Sequence, residues 1–362
     1  MLLLSMAERI AERSGEEMQS TDFSLIRKII ESSSVVRDYD LRRAPKTGKI
    51  TYSSADLIVL LLYKEVRKTT MGGVISDLKD AGGQEKMANL GMRAVDGALR
   101  CPAESTMSLF VNKHWPKIEM GLCAEMCEAI MGMLSGERLL YTCDSTPLEA
   151  SRYSKRCAYN PHYEIRMDKE HIVMVNGHPL VHARTGGNDS DYTNFIKLLE
   201  RMDRVDPSDV RGFTTDGAYH GFSAYVRVFM KTGKVMATNQ GSDAVFHGEA
   251  SWKAVKKEYG KHWKRSDFVP LKYKRPCEVL EYLVKCGKWE LVGKFLHNLD
   301  FMRGKAAKAY WAKERHVCET VHFDAKRWIR FDVRGLHRKT VDNWTTLRFF
   351  FVQILSTVFA PF

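Results

Sequence analysis

The sequence predicts an α/β protein in which a helical first third leads into a region of alternating strands and helices. Three observations predict it. Up to about residue 136, apolar residues recur at helical spacing between Ser, Thr and Asp caps and glycine turns. From Arg138 the pattern changes to short runs of strand-forming residues, beginning with Leu139-Leu140-Tyr141-Thr142-Cys143. Two such runs flank Asn176-Gly177, the dipeptide that supplies the positive φ angles of a two-residue hairpin turn. The chain has 362 residues, 44% of them hydrophobic and 28% charged, enough for two or three domains with real cores.

The elements follow in order. Ser53 to Asp56 offers caps for a helix over Leu57 to Val66; Gly72-Gly73 interrupts, Val74 to Lys79 reads as a short helix, and Gly82-Gly83 opens another. Pro102 to Thr106 initiates a helix through about His114, and a further helix runs from about Ile118 to Leu134. It sets Cys123 and Cys127 one turn apart on an apolar face, where core packing explains them better than metal. The strand from Leu139 ends at Asp144, and His171 to Val175 pairs with His178 to Arg184 as the hairpin. Asp191 to Met202 has helical spacing, Val210 to Thr215 reads as a strand, Tyr219 to Lys231 as a helix and Lys234 to Thr238 as a strand. The order is three strands, helix, strand, helix, strand. A mostly helical basic segment from about Gly241 to Arg303 comes next, then a last long helix from about Ala306 to Arg330.

The formal charge is +12. Between Trp252 and Arg348 there are 24 Lys and Arg against 11 Asp and Glu, a net +13, so the whole excess lies in the last third. Six of the seven tryptophans share that stretch, and cations interleaved with aromatic faces suit a nucleic acid, although a solvated basic face over an aromatic core explains them as well. The eight cysteines show no metal-finger spacing and read as reduced thiols of a cytosolic protein. Met1 to Ile10 lacks the basic start of a signal peptide, and the apolar stretch from Leu347 to Phe362 is too short to span a bilayer, so no membrane association is expected.

Chemistry points to acidic residues. Asp144 and Asp216 both end strand-like runs, where a rigid scaffold displays side chains, and Gly217 allows close approach of another group. Singly, each aspartate is more often a turn or helix cap than a catalyst. On the last helix Arg315, Glu319, His322 and Lys326 are separated by four, three and four residues and so share one face. The bland account is an ion-pair ladder with Arg315 and Glu319 at i, i+4. His316 and His322 flank the glutamate, and histidines on a packed helix are usually satisfied core or surface groups. His162, His171, His178 and His182 form no ligand motif, Gly186-Gly187 lacks the pattern of a phosphate loop, and Cys143 points away from Asp144 into the core.

These residues resemble those of DDE transposases of the bacterial and archaeal insertion-sequence type. That family is similar in placing one Asp after the first strand before small hydroxyl residues, as in Asp144-Ser145-Thr146, and a second after the fourth strand, as in Thr215-Asp216-Gly217. Its third carboxylate lies in a helical signature of Tyr, two residues, Arg, three residues, Glu, six residues, Lys. Arg315, Glu319 and Lys326 match; the tyrosine position holds Ala312, with Tyr310 and Trp311 beside it. The likeness covers about Leu139 to Phe359, and more loosely the helical first third.

The resemblance implies an RNase H-like fold, a mixed five-stranded sheet flanked by helices, as a catalytic domain over 137–362 with an insertion at about 241–303. An all-helical, DNA-binding domain would occupy 1–136. It implies a transposase that cleaves transposon ends and joins them to target DNA, acting as a dimer on double-stranded DNA in the cytoplasm at the nucleoid. Asp144, Asp216 and Glu319 would be the catalytic carboxylates and the ligands of Mg²⁺, for which Mn²⁺ can substitute, with Asp144 bridging two ions. Arg315 and Lys326 would bind DNA phosphates. The chemistry is consistent: three converging carboxylates repel unless a hard cation joins them, and two such ions serve both ends of an in-line displacement. Two alternatives stand beside it, a non-catalytic DNA-binding protein derived from a transposase and an RNase H-like nuclease that cuts without joining.

Overall fold

In the computed structural model the described residues are 20–44, 51–92, 94, 99–150, 157–202, 205–206, 208–219, 222–234, 236–238, 283, 286–288, 315–316, 319–320, 322, 326–329, 332–333 and 338–359. The basic segment at 241–303, apart from isolated positions, and Tyr310, Trp311 and Ala312 lie outside them. The chain divides into two compact units, one of Met1–Ser135, Leu148–Cys157 and Phe323–Phe362, the other of Gly136–Pro147 and Ala158–His322. The stretch 323–362, which the sequence reading assigns to the second domain, thus belongs with the N-terminal helices.

The first unit is built around a helix buried on every side. Helices α1 (Ser20–Ser32), α2 (Ser34–Arg43) and α3 (Ser54–Val66) are followed by α4 (Met71–Lys79), α5 (Gly83–Asn89), α6 (Glu104–Leu109) and α7 (Glu119–Met133). In α3 the run Leu57 to Leu62 is wholly buried, so an unbroken apolar stretch replaces the usual stripe. Its start is fixed by a capping box in which the Ser53 hydroxyl accepts from the Asp56 N–H while the Asp56 carboxylate accepts from the Ser53 N–H. Gly72-Gly73 does not interrupt a helix as expected: Thr70 caps the Gly73 N–H and the helix starts at Met71, because the cap outweighs the poor propensity of two glycines in a first turn. The expected helix to His114 is α-helical only to Leu109 and continues as a π-turn over Phe110–His114.

The C-terminal helix α10 (Arg338–Phe359) completes this unit. Leu347, Phe349, Phe350, Phe351, Val352, Ile354 and Leu355 are buried in it, and the Trp115 indole N–H donates to Thr346 Oγ1 at 2.8 Å while its ring packs 5.7 Å from Phe350. Arg348 reaches the fully buried Glu65, Nε to Oε2 3.1 Å. The apolar tail is therefore core, and among the described residues no helix is long and apolar enough to cross a membrane.

The second unit is an α/β layer. Its strands are β1 (Leu139–Ala150), β2 (Tyr159–Asn160), β3 (Ile165–Val175), β4 (His178–Gly186), β5 (Val210–Thr215) and β6 (Ala237–Thr238); the last residues of β1 belong to the first unit, where β7 (Asp332–Val333) pairs with Glu149 and Ala150. The order across the sheet is β2-β3-β1-β5-β6, with β4 added to β3. β1, β5 and β6 are parallel and β3 and β4 antiparallel, which makes the sheet mixed. Helices α8 (Asp191–Arg201) and α9 (Phe222–Thr232) follow β4 and β5.

The hairpin forms as its dipeptide requires, with Asn176 at φ 46° and Gly177 at φ 85°. Asn176 also fastens the neighbouring strand, its N–H donating to the Leu140 carbonyl at 2.9 Å and its Oδ1 accepting from the Leu140 N–H at 2.7 Å. After β4, Gly187 sits where a Cβ would lie 2.5 Å from the Met167 carbonyl oxygen, so any side chain would force the two segments apart. Among the described residues Cys101, Cys123, Cys127, Cys143, Cys157 and Cys286 are free thiols. Cys127 accepts from the Gln353 amide at 3.5 Å, in line with packing.

Candidate active site

The site grows out of one strand pairing. β1 and β5 run parallel in a register that places Leu140 opposite Gly212, Thr142 opposite Thr214 and Cys143 opposite Thr215. Parallel neighbours lie about 5 Å apart, so the next residues, Asp144 within β1 and Asp216 just past the end of β5, follow side by side. The alternation that buries Cys143 completely leaves Asp144 on the other face and only partly buried.

Asp144 does not end its strand, as the sequence suggested; β1 continues through Pro147 to Ala150. It is β5 that stops. Beyond Thr215 the chain turns into a single 3₁₀ turn, Gly217–Tyr219, closed by Asp216 itself, whose Oδ1 accepts from the Ala218 N–H at 2.8 Å and whose carbonyl accepts from Tyr219 at 3.4 Å. The turn-capping role considered for Asp216 is thus real. It uses one carboxylate oxygen.

Glu319 lies on a helical segment described at Arg315, His316, Glu319, Thr320 and His322. The i, i+4 ladder is present: Arg315 Nη2 stands 2.9 Å from Glu319 Oε1, and His316 Nδ1 stands 2.7 Å from Oε2. His316 is therefore a partner of the glutamate rather than a lone surface group. His322 is buried, and Lys326 is exposed and falls within the first unit.

Electrostatics ties these segments together. Asp144 has its carboxyl pushed up to about 6, first by burial and then by the charges of Asp216 and Glu319; the Ser145 N–H, donating to Oδ1 at 2.8 Å, and the Arg315 guanidinium pull the other way. Asp144 thus feels the charges of three of the other four residues singled out from sequence, which come from two distant stretches of chain. Among the described residues, however, no three His, Cys, Asp or Glu side chains stand close enough together to hold a metal ion. Carboxylate oxygens are of the type hard divalent cations take, and such an ion would offset the burial and the carboxylate charges that raise Asp144. Both Glu319 oxygens are engaged by Arg315 and His316, so its carboxylate would have to exchange those partners for the ion.

A polar network behind the aspartates was not legible in the sequence. The Tyr219 hydroxyl lies 3.2 Å from His171 Nδ1, and His171 Nε2 lies 2.9 Å from Thr185 Oγ1. His171 and Tyr219 are both fully buried. Burial lowers His171 to about 4 against a modest opposing pull from Asp191, so the ring is neutral at neutral pH. Lys169 pairs with Asp191 at 2.8 Å alongside. Strand alternation sets Lys169 and His171 on one face, but their partners come from β4, α8 and the turn after β5, which no local pattern reveals.

No protein-family model, curated protein or solved structure matches this chain.

Proposed function

We propose that the second unit is a metal-dependent phosphodiester-cleaving catalytic domain and that the protein is a DNA transposase of the DDE type. The observation that supports this reading is that the partly buried Asp144 carboxyl, raised first by burial, also feels the charges of Asp216, Arg315 and Glu319. An RNase H-like topology is supported by the order of the strands: with β4 beside β3, the longer strands and β6 run β4-β3-β1-β5-β6, the hairpin antiparallel and the other half parallel. In that topology the ends of the central parallel pair are where the acidic residues emerge.

Asp144, Asp216 and Glu319 would hold Mg²⁺ or Mn²⁺, and the bound ions would activate water and stabilise the leaving 3′-oxygen. Arg315 would steer and neutralise a DNA phosphate, releasing Glu319 as it does so. Lys326 would add a phosphate contact. The basic balance of the chain, +12 overall, favours a polyanionic substrate, and pairing of two transposon ends calls for a dimer on DNA.

The test is cleavage and joining of DNA carrying the element's own ends by the full chain. With Mg²⁺ or Mn²⁺ the unaltered protein nicks and joins; Asp144→Ala, Asp216→Ala and Glu319→Gln each lose more than about a thousandfold. Cleavage that survives Asp144→Ala refutes the reading. The engagement of Glu319 by Arg315 and His316 favours a second reading, a non-catalytic DNA-binding derivative. That protein would bind DNA with the same salt dependence and show no metal-dependent products.

A further inference from the structure

We infer that the first unit carries a phosphate-binding face for nucleic acid, made by Arg42 at the end of α2 and by Lys113 and Lys117 on the distorted turns before α7. The face shares no residue with the proposed catalytic set. It rests on that reading only for the identity of the polyanion, so either can fail without the other.

The face begins at a break in a helix. Pro116 has no N–H to return to the Asn112 carbonyl, and the chain widens before it into the π-turn over Phe110–His114, where the Trp115 N–H reaches back to the Phe110 carbonyl. It then tightens into a 3₁₀ turn, Trp115–Lys117. Trp115 is fully buried and fixes these turns from inside, which leaves Lys113 and Lys117 exposed on either side of a half-buried His114. Helix α2 is held against them at two points. At its start Glu125 of α7 accepts from the Ser34 N–H at 3.1 Å and from the Val35 N–H at 3.3 Å; further along, the Tyr39 hydroxyl lies 2.7 Å from His114 Nδ1. Arg42 and Arg43 follow Tyr39 in the last turn of α2, so cations from two distant stretches of chain meet around one hydrogen-bonded pair.

Charge at this place is unbalanced. Basic residues in a last turn complement the helix dipole, and Arg43 is accounted for in that way: it pairs with Asp40 at 3.1 Å and donates to the Tyr52 carbonyl at 2.6 Å. Asp40 is engaged again by the Ser54 N–H at 2.7 Å. Arg42 gives only its Nε, to the Asp38 carbonyl at 3.1 Å, and Asp38 on the same helix offsets part of its charge. Lys113 and Lys117 form no hydrogen bond or ion pair among the described residues. The His114 ring registers the surplus: burial first, then the charges of Arg43, Lys117 and Lys113, hold it below its ordinary value against the opposing charge of Asp40. A row of phosphates suits such a face. Duplex DNA carries one negative charge per about 1.7 Å of axis, so separated cations can each neutralise one and release its counterion.

The experiment measures binding of the full chain, without divalent metal, to a DNA duplex of about 30 base pairs over a range of salt concentrations. The triple variant Arg42→Gln, Lys113→Gln, Lys117→Gln is expected to lose about 0.9 of salt slope for each phosphate contact, about 2 to 3 in all, and to bind at least about 10-fold more weakly at about 0.1 M salt. The three side chains reach solvent, so its unfolding midpoint should stay within a few degrees of the unaltered chain. A second triple variant, Lys28→Gln, Lys68→Gln, Lys79→Gln, removes the same charge from other exposed positions of the unit and should leave the slope within about 0.5. The His114 ring locates the contact, because a phosphate seated beside it favours the charged imidazole: duplex added to the unaltered chain should raise its pKa, followed by ring proton resonances. An unchanged slope in the first triple variant, an equal fall in the second, or a His114 titration that DNA leaves in place overturns the inference. Displacement of the duplex by polyglutamate at equal charge makes the partner an acidic protein and overturns the assignment to nucleic acid. End cleavage that survives Asp144→Ala refutes the catalytic reading and leaves this face standing.

Discussion

Cys143 is the parallel register partner of Thr215, and that pairing sets Asp144 and Asp216 side by side where β5 leaves the sheet. Two carboxylates brought together at a partly buried edge are unfavourable without a counter-charge. Burial first, and then the charges of Asp216 and Glu319, push the Asp144 carboxyl up to about 6. A site of this kind stores instability that the proposed cation would release.

Replacing Asp144 by Asn therefore stabilises the metal-free protein near neutral pH. The folded pKa is raised from the ordinary 3.8 to about 6, so the carboxyl costs stability once pH rises through that window and the cost is complete above it. Allowing for its partial exposure, the gain is about 1 to 2 kcal/mol at pH 7.5, read from urea denaturation. Addition of Mn²⁺ should raise the unfolding midpoint of the unaltered chain and leave that of Asp144→Asn in place.

Acid destabilises the protein through two buried histidines. His171 and His178 are both lowered by burial from 6.5 to about 4, so between those values the unfolded chain binds protons that the folded chain does not. Stability is then fully present above about pH 6.5 and is lost as pH falls towards 4, by at most about 3 kcal/mol for each ring. Asp144 opposes this in the same window, because its ionisation is suppressed as pH falls. The Asp144→Asn protein should accordingly show the steeper loss between pH 6.5 and 4.5 in urea midpoints.

Arg315 lowers the Asp144 pKa and pairs with Glu319. Arg315→Gln is expected to move Asp144 above about 6 and to weaken DNA binding with a smaller salt slope, since the phosphate contact proposed for it is lost. Carboxyl carbon chemical shifts followed through a pH titration check the first part. Binding isotherms at several salt concentrations check the second.

Within the first unit, the buried pair of Glu65 and Arg348 couples α3 to α10 across 283 residues of sequence. Arg348→Ala leaves the fully buried Glu65 carboxylate with Lys64 as its remaining cationic partner among the described residues and should cost about 1.5 to 3 kcal/mol. The double variant Glu65→Gln with Arg348→Met removes that pair and keeps the volume but takes the carboxylate from the buried Lys64, so it should recover only part of the loss. Equilibrium denaturation of the two proteins decides it.

Much of the fold was legible because its signals are local. Ser53 and Asp56 announce a capped helix, Asn176-Gly177 announces a turn, and Val210 to Thr215 forms a strand over the residues its composition marks. The misses are places where a neighbour overrides local preference. Thr70 draws two glycines into a helix, and β1 runs past Asp144 although its apolar run ends there, its last residues pairing with β7. The candidate carboxylates were visible as residue types at element ends. The hydroxyl and imidazole groups behind them were not, since Tyr219, His171 and Thr185 carry no spacing that sets them apart from ordinary core residues.

Sequence alone determined the alternation of elements, the hairpin, the chemical identity of Asp144, Asp216, Arg315 and Glu319, and the basic balance of the chain, all of which depend on residue type and short-range periodicity. Only the tertiary structure decided the register that sets two aspartates together, the buried network around Tyr219, and the return of α10 to the N-terminal helices. Those depend on contacts between residues tens to hundreds of positions apart. Such contacts form because burial and hydrogen-bond satisfaction are settled across the whole packed unit and leave no periodic trace in the chain.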